Sequence, residues 1–195
     1  SSSCYRVPLM DKVTLFEQSL HILGDREYKR ESPTGRECDL WFPIVLAEAL
    51  NFGSWSFATL RRILPPVSPG VYRLPEDCLR PLKINHSSFE LIGRDILLHT
   101  TYQPEPDNGL ELTYITNALG KAEILPDSQP LFLRGLSLLL AARMAPKITG
   151  QPQLSFTLEE AANSALAEAL HKDALAQHSN DQHPLERILG LSIVG

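Results

Sequence analysis

Cysteine is scarce and scattered in this 195-residue sequence, which contains only Cys4, Cys38 and Cys78. They form no C-x-x-C pair, so neither a disulfide framework nor a structural zinc site is predicted, and a reducing cytosol is the expected setting. Long apolar runs are also lacking, since the run at 135–142 is bounded by Arg134 and Arg143. Roughly 20 apolar residues are needed to span a bilayer, so no membrane anchor is expected. The N-terminal residues do not show a basic start followed by an apolar stretch, so a secretory signal is not expected.

Basic residues are also fewer than acidic residues. Eighteen Lys and Arg residues against 23 Asp and Glu residues give a formal net charge of −5 at pH 7. A protein that grips phosphate backbones usually carries a basic face, so that class is disfavoured, whereas a protein past which DNA slides is compatible. The sequence contains neither G-x-x-x-x-G-K-[ST] nor G-x-G-x-x-G, so a glycine loop that cradles phosphate is not supported.

The first part of the sequence has a helical pattern. Residues 1–10 are expected to form a flexible arm, and an apolar stripe of period 3.6 predicts a helix from about Asp11 to Leu23. The segment Thr34-Gly35-Arg36-Glu37 has the form of a capping box, which predicts a helix from there to Phe52. Pro43 is expected to kink or split this helix.

The middle of the sequence has a strand pattern. Alternation at Trp55, Phe57 and Thr59 predicts a half-buried strand, and short extended pieces follow as far as Thr116. Gly93-Arg94 is a candidate two-residue hairpin turn, and Asp107-Asn108-Gly109 marks a longer one. The connections are too short for crossover helices, so antiparallel pairing is expected.

The helical pattern returns at Ser128, a candidate cap. The segment from Leu131 to Ala145 is apolar nearly all round, which predicts a buried helix ended by Pro146 and Gly150. A second capping box, at 157–160, predicts a helix to about Gln177. A polar linker at 179–183 and an apolar segment at 185–194 complete the chain.

These patterns predict an α+β fold that is mainly helical. We expect a helical bundle with a small antiparallel sheet or hairpin inserted between the second and third long helices. The main predicted domain covers 11–178, with helices at 11–52, a β-rich insertion at 54–117 and helices at 128–178. Residues 179–195 form a separate linker and tail.

The sequence contains no convincing catalytic constellation. Two of its six histidines, His171 and His178, share a helix face, but helical metal pairs usually stand three or four residues apart. With Asp181 and His183 they form a conceivable surface cluster, although a solvated helix end is the simpler interpretation. The segment 53–57, GSWSF, lacks the second glycine of a nucleophile elbow. No catalytic residue, metal ligand or cofactor is predicted, and Cys38 and Cys78 are expected to be buried, inert thiols.

The order of several short motifs is similar to that of the phage tail tubular protein A family, the head-to-tail adaptors of short-tailed phages. Residues 50–58, LNFGSWSFA, resemble the family's passage from a helix into W-x-F-A. Residues 72–79, YRLPEDCL, resemble its Y-x-L-P-x-D-C-L loop, and the hairpin at 89–94 also fits. Residues 138–146, LLLAARMAP, resemble an apolar helix that ends in L-A-x-x-L-A-P, and Asp173-Ala174 resembles the closing A-x-x-x-D-A. Order and spacing over about residues 13–177 carry the resemblance.

The resemblance implies a structural virion protein of the tail or neck, assembled in the host cytoplasm, with no enzymatic activity. Copies would form a ring, usually a dodecamer, that joins the portal protein to the tail nozzle protein and extends the DNA channel. DNA would pass through without sequence-specific binding. In such proteins the C-terminal segment commonly docks onto the portal, which makes Leu185, Ile188, Leu189, Leu191 and Ile193 the docking candidates here. Packing of this segment on its own bundle is the equal alternative.

The strand region is the candidate surface for neighbouring copies and tail parts. Its candidate interface residues are Trp55, Phe57, Arg61, Arg62, Tyr72 and Arg94. Three other functions stay open at this point: a small metal-dependent hydrolase that uses the histidines, another phage neck or tail-completion protein, and a helical regulator with a recognition helix. The acidic charge and the lack of a basic helix count against the regulator.

Overall fold

The computed structural model describes residues 9–24, 27–86, 88–99, 109–121, 124–126 and 129–190. Within these ranges the side chains at 9–10, 121, 124–126 and 178–190 are not described. The chain divides into two compact units. The helical unit takes in Ser1–Ser56 and Gly120–Gly195, and the β unit is Phe57–Leu119.

The elements follow one another in a helix, strand, helix order. The helices are α1 (Lys12–Ile22), α2 (Pro33–Asn51), α3 (Pro130–Thr149) and α4 (Pro152–Gly190). The strands are β1 (Leu9–Asp11), β2 (Thr59–Leu64), β3 (Pro66–Ser68), β4 (Val71–Arg73), β5 (Cys78–Ile84), β6 (Phe89–Ile92), β7 (Asp95–Leu98), β8 (Leu110–Thr116) and β9 (Ile124–Pro126). Two short 3-10 turns occupy Ser56–Ala58 and Ala118–Lys121.

The N-terminal cap of α2 is Ser32. Its hydroxyl accepts a hydrogen bond of 3.0 Å from the Gly35 N–H, and Pro33 occupies the first turn. The capping box predicted at 34–37 is therefore wrong. Glu37 is instead engaged by Lys147 of α3 and by the Trp41 indole N–H at 3.3 Å. The Glu37 side chain, which the local pattern assigned to the helix cap, instead forms a long-range ion pair with Lys147.

Both prolines that were expected to break helices lie inside them. Pro43 leaves α2 continuous because it is on the exposed face, where water can satisfy the carbonyl that loses its helical donor. Pro146 lies inside α3, where the carbonyl four residues earlier, that of Ala142, accepts from the Ser155 hydroxyl at 2.7 Å. The helix ends only at Gly150, whose φ of 67° is the left-handed conformation that favours glycine.

The boundaries of α4 also differ from the prediction. The capping box at 157–160 is wrong, since Thr157 lies inside a helix that begins at Pro152. At the other end the helical backbone continues past Gln177 and through the predicted polar linker to Gly190. Residues 179–183 contain neither glycine nor proline. Polar composition without those residues does not end a helix.

The core of the helical unit joins all four helices. The Phe16 and Phe42 rings of α1 and α2 pack with centroids 5.3 Å apart, and Trp55 packs on Phe132 of α3 at 4.9 Å. The predicted burial of the apolar helix at 131–145 is confirmed, since eleven residues of α3 are buried. Strands β1 and β9 add a two-stranded antiparallel pair to this unit.

The β unit contains two antiparallel sheets. One has the order β2-β8-β5 and the other β3-β4-β7-β6. Their inner faces meet in one apolar cluster, formed by Leu64, Tyr72, Leu74, Cys78, Ile84, Ile96, Leu110, Leu112 and Tyr114. Pro65 separates β2 from β3, so the chain passes from one sheet to the other at a residue that cannot donate to a ladder.

The predicted fold class is therefore wrong in its architecture. The protein is a mixed α/β fold with 24% of its described residues in strands, rather than a helical bundle with one small sheet or hairpin. The reason is that residues 59–116 bury a core of their own between two sheets, which the sequence analysis counted as one. The Gly93-Arg94 turn is confirmed, with a φ of 61° at Gly93 between β6 and β7.

The strand predicted from the alternation at Trp55, Phe57 and Thr59 begins only at Thr59. Before it, residues Ser56–Ala58 form a 3-10 turn. The Trp55 indole N–H donates to the Ala49 carbonyl at 2.8 Å, which holds the chain against the end of α2. Within the part of the chain that is described, no helix has the length and apolarity needed to cross a membrane.

Candidate interaction surfaces

Asp77, the acidic residue of the 72–79 motif, is an internal anchor of the β unit. Its carboxylate accepts from the Thr116 hydroxyl at 2.8 Å and from the Tyr114 hydroxyl at 3.1 Å, and Arg62 lies 3.9 Å away. Burial alone would raise the pKa of Asp77, but these hydrogen bonds and the Arg62 charge outweigh it and lower the pKa from 3.8. The carboxylate is thus held ionised as an acceptor between β5 and β8.

The partner phenol of Tyr114 is held in its neutral form. Burial and the neighbouring Asp77 carboxylate raise the pKa of Tyr114 to about 12. A neutral hydroxyl can donate to the carboxylate, whereas a phenolate would repel it. This arrangement fixes structure, since the proton stays on the same oxygen throughout the ordinary pH range.

Asp173, the acidic residue of the final motif, has a similar role in the helical unit. It is 5% exposed, and its carboxylate accepts from the Ser56 N–H at 2.8 Å and from the Ser56 hydroxyl. The Gln177 amide donates to it at 3.0 Å. Asp77 therefore holds two side-chain hydroxyls and Asp173 holds the Ser56 backbone, and the two motif residues present no free carboxylate pair for acid–base chemistry.

Arg143 links three helices. Its guanidinium donates to Glu48 of α2 at 2.7 Å and to Glu159 of α4 at 3.1 Å. Hydrogen bonds to both carboxylates raise its pKa above the ordinary value of arginine. The planar guanidinium can serve two carboxylates at once, so this residue fixes the position of α3 between its neighbours.

The helical unit exposes large apolar side chains on two helices. On α2, Leu40 and Ile44 are four residues apart and so share one face, with 58% and 45% of their surfaces exposed. On α4, Phe156 and Leu175 are also exposed. These side chains are not needed for the core of the unit. Clustered exposed apolar residues of this kind mark sites of protein–protein contact.

The β unit exposes apolar side chains along the edge strands β2 and β6, as well as at Val67 of the proline-containing edge strand β3. Residues 60–63 of β2 (Leu-Arg-Arg-Ile) are all exposed, and so are all four residues of β6 (Phe-Glu-Leu-Ile). A strand that covers a core hides every second side chain, so full exposure means that neither segment contributes to the apolar cluster. We call residues 60–63 the basic edge and Phe89–Ile92 the acidic edge.

The interface candidates from the sequence analysis separate into two groups. Trp55 and Tyr72 are buried within their own units, and Phe57 is half-buried, so little of these rings is available to a partner. Arg61, Arg62 and Arg94 are exposed. Arg61 and Arg62 lie on the basic edge, and Arg94 donates to the Pro75 carbonyl beside the 72–79 motif.

The portal-docking candidates lie at the end of α4 or beyond the described residues. The helical backbone includes Leu185, Ile188 and Leu189, whose side chains are not described. Leu191 and Ile193 lie outside the described residues, as do the first eight residues of the predicted arm, Cys4 and the predicted cap Ser128. The predicted docking role of this segment stays a prediction.

Searching the described residues for a metal centre finds no cluster of three or more His, Cys, Asp or Glu side chains. His171 is exposed, and the side chains of His178, Asp181 and His183 fall outside the description. Cys38 and Cys78 are both buried, and burial raises the pKa of the Cys78 thiol. A cavity of about 440 Å³ in the helical unit is lined by Leu23, Gly24, Pro33, Thr34, Glu37, Lys147 and Ile148. Its two charged groups pair with each other.

The sequence matches no protein-family model and no curated protein. The sequence analysis missed the acidic edge as a functional candidate, although it predicted a strand at 89–92 and the turn that follows. A four-residue segment of mostly apolar residues is what a buried strand also contains. The exposure of all four β6 side chains and the position of β6 at the edge of its sheet become visible only in the folded structure.

Proposed function

We propose that this protein is a structural virion protein, the subunit of a head-to-tail adaptor ring that joins a portal to a tail nozzle. The proposal begins from the order of motifs shared with the tail tubular protein A family. Those motifs extend over both units, from the end of α2 through the 72–79 loop to α4.

The observation that carries the proposal furthest is the number of large apolar side chains left in solvent on separate elements. They lie on α2, on α4 and on both edges of the β unit. A monomer gains nothing by exposing them, whereas a subunit with neighbours on two sides and partners above and below would bury them. The acidic motif residues support the same interpretation, because each is used to hold the scaffold together.

A closed ring requires two different, complementary faces on each subunit, since the contact is head-to-tail. The basic edge and the acidic edge are two different surfaces of opposite charge, as that requirement demands. A dodecamer would carry about −60 formal charges from copies of −5 each, and such a field would repel DNA and let it slide. A lumen mapped as basic would contradict this part of the proposal.

The test is the particle mass of the purified protein, measured alone and after mixing with portal rings from the same genome. We expect a complex with a fixed number of copies on the portal. A chain that ignores the portal but binds tail proteins would instead favour another neck or tail-completion protein. A chain that binds neither, at any concentration, would overturn the proposal.

One variant sharpens this test. Ile44→Lys places a charge in the exposed apolar stripe of α2 and should reduce the amount of portal complex without changing the unfolding temperature. Gln18→Lys, at an exposed polar position of α1, is the matched control and should leave complex formation unchanged. Equal complex formation by both variants would remove the α2 stripe from the assembly surface.

A further inference from the structure

The two strand edges of the β unit share an unusual exposure. Ile63 is 66% exposed and Ile92 54%, and their neighbours Leu60, Phe89 and Leu91 are between 38% and 43% exposed. Because side chains alternate along a strand, each edge presents apolar groups on both faces of its sheet. Neither face of either edge is therefore buried in the apolar core of the β unit.

Each edge also has one unpaired side. Among the described strands, β2 pairs only with β8, and β6 pairs only with β7. The outer side of such a strand presents a row of backbone donors and acceptors that another strand can use. Folded proteins protect such edges with proline, bulges or charged side chains. Residues 60–63 and 89–92 contain no proline, and the charges on the two edges are opposite in sign, so they deter like edges but not each other.

The two edges differ in charge. The basic edge contains Arg61 and Arg62, and the acidic edge contains Glu90. Their present charge contacts are long, at 3.6 Å from Arg61 to Glu111, 3.9 Å from Arg62 to Asp77 and 3.7 Å from His99 Nε2 to Glu90. The Arg61 contact is exposed and contributes little. Arg62 keeps its contact with the half-buried Asp77, and its own side chain is 55% exposed, so it can also meet a charge from outside the unit.

We infer that the occupant of the acidic edge is the basic edge of a second copy of this chain, so that the four-stranded sheet of one copy joins the three-stranded sheet of the next. An antiparallel register with Glu90 opposite Arg62 brings together three complementary pairs. It places Phe89 opposite Ile63 and Ile92 opposite Leu60, and only Leu91 meets a charge, that of Arg61. Directly opposed apolar and opposite-charge pairs are the contacts that stabilise antiparallel strands.

The geometry is head-to-tail because the two edges belong to different strands. Such a contact propagates and closes into a ring when the rotation between copies allows it. Pairing of four residues buries much less than the roughly 1,200 Å² of a stable interface, so an isolated pair of copies should dissociate readily. Ring closure adds stability because every copy then holds two neighbours. The inference names the joint between copies, and in this respect it rests on the proposed function.

Disulfide trapping tests the joint and its register. In a Cys4→Ser background, one chain carries Phe89→Cys and a second carries Ile63→Cys, and both are mixed at increasing concentration, with and without portal rings. We expect a disulfide-linked dimer in the mixture and little in either chain alone. A chain carrying both substitutions should give a ladder of linked copies. Mixing Leu91→Cys with Ile63→Cys is the control, since that pair is out of register.

The outcomes separate the alternatives. Dimers of the Phe89→Cys chain alone would indicate a symmetric contact between acidic edges and overturn the inference. No trapped dimer under any condition, in chains whose unfolding temperature is unchanged, would also overturn it. If the chain forms a fixed-number complex on the portal without trapping, the joint is wrong and the proposed function stands. If the disulfide-linked dimer forms but the protein does not bind the portal, the contact between copies is supported and the proposed adaptor function is rejected.

Charge reversal provides an independent readout. Glu90→Arg and Arg62→Glu each place like charges opposite one another and should weaken assembly about tenfold per joint. The two substitutions in one chain restore the pair and should restore assembly. Glu76→Arg, an exposed reversal in the same unit but off both edges, should have no effect. Failure of the double variant to recover, with the fold intact, would contradict the proposed register.

Discussion

The carboxylate of Asp173 holds the backbone of Ser56, a residue 117 positions earlier in the chain. The contact includes the Ser56 N–H at 2.8 Å and its hydroxyl, and the Asp173 side of the contact is buried. Ser56 is the last residue of the first segment of the helical unit. The end of that segment is therefore fixed by α4, beyond the reach of the local sequence.

Removing this carboxylate should destabilise the helical unit. Asp173→Ala leaves the Ser56 N–H without its acceptor, and we expect the free energy of unfolding to fall by about 1–3 kcal/mol, as measured by urea denaturation. Glu168→Ala, an exposed change on the same helix, should stay within about 0.5 kcal/mol of wild type. Equal effects of the two variants would show that the Ser56 contact contributes nothing.

Asp77 should make the stability of the β unit depend on acid. Its pKa is lower in the folded chain than the ordinary 3.8, so its ionised form favours folding. That stabilisation is present above the ordinary pKa and disappears as pH falls through the lowered one. The difference in unfolding free energy between wild type and Asp77→Asn should thus be largest near neutral pH and shrink in strong acid. Glu76→Gln controls for the loss of a charge, and a pH-independent difference would contradict the prediction.

Tyr114 should ionise late. Its pKa is raised from 10.0 to about 12, so its stabilising effect is complete below pH 10 and is lost as pH rises towards 12. Tyrosinate absorbance of the folded protein should show a late-titrating group that Tyr114→Phe removes. Tyr72→Phe removes a hydroxyl from the same apolar cluster and should leave that group in place. A Tyr114→Phe titration identical to wild type would refute the assignment.

Arg143 should be difficult to replace even by lysine. Lysine is a point charge that cannot donate to Glu48 and Glu159 in the same planar geometry, so Arg143→Lys should lose part of the stability. Arg143→Ala should lose about 1–3 kcal/mol, because it also leaves two carboxylates without a partner. Arg134→Ala, an exposed change on the same helix, is the control. Comparable stability of the Arg143→Ala and Arg134→Ala variants would exclude a linking role.

Gly135 should tolerate no side chain. A Cβ at this position would lie 2.7 Å from Cγ and Cδ2 of Leu166 and 3.3 Å from its backbone nitrogen, so α3 and α4 would have to separate. We expect Gly135→Ala to cost about 1–3 kcal/mol despite the higher helix propensity of alanine. Adding Leu166→Ala should give a total loss smaller than the sum of the two single losses. Strict additivity would show that the close approach is not strained.

The parts of the fold that sequence analysis predicted are those that local chemistry decides. The period of 3.6 located α1, the nearly continuous apolar composition of 131–145 located α3, and Gly93 marked the β6–β7 turn. Both capping boxes failed because other residues compete for the same groups. Ser32 caps α2 while Glu37 pairs with Lys147, and α4 begins one turn before Thr157. A four-residue pattern cannot report a partner that lies 110 positions away.

The sheets and the edges were harder to predict for a related reason. Strands β4 to β8 were each visible as a short apolar segment, whereas β1, β3 and β9 were not predicted. Pairing between β2 and β8 joins residues about fifty positions apart, and period two does not specify a partner. The same segment is a core strand or an exposed edge according to that choice. Phe89 and Ile92 therefore could not be recognised as surface residues before the sheet order was known.

The division of the chain has a mechanical consequence. The β unit is a single insertion, entered after Ser56 and left before Gly120, and both flanking segments belong to the helical unit. Tension applied across the helical unit would be carried by its helices and by the Asp173 clasp on Ser56. The strands would bear load only after the hydrogen bonds between Ser56 and Asp173 had broken. A pull along the chain should therefore unravel the helices first and leave the edge-bearing sheets folded until last.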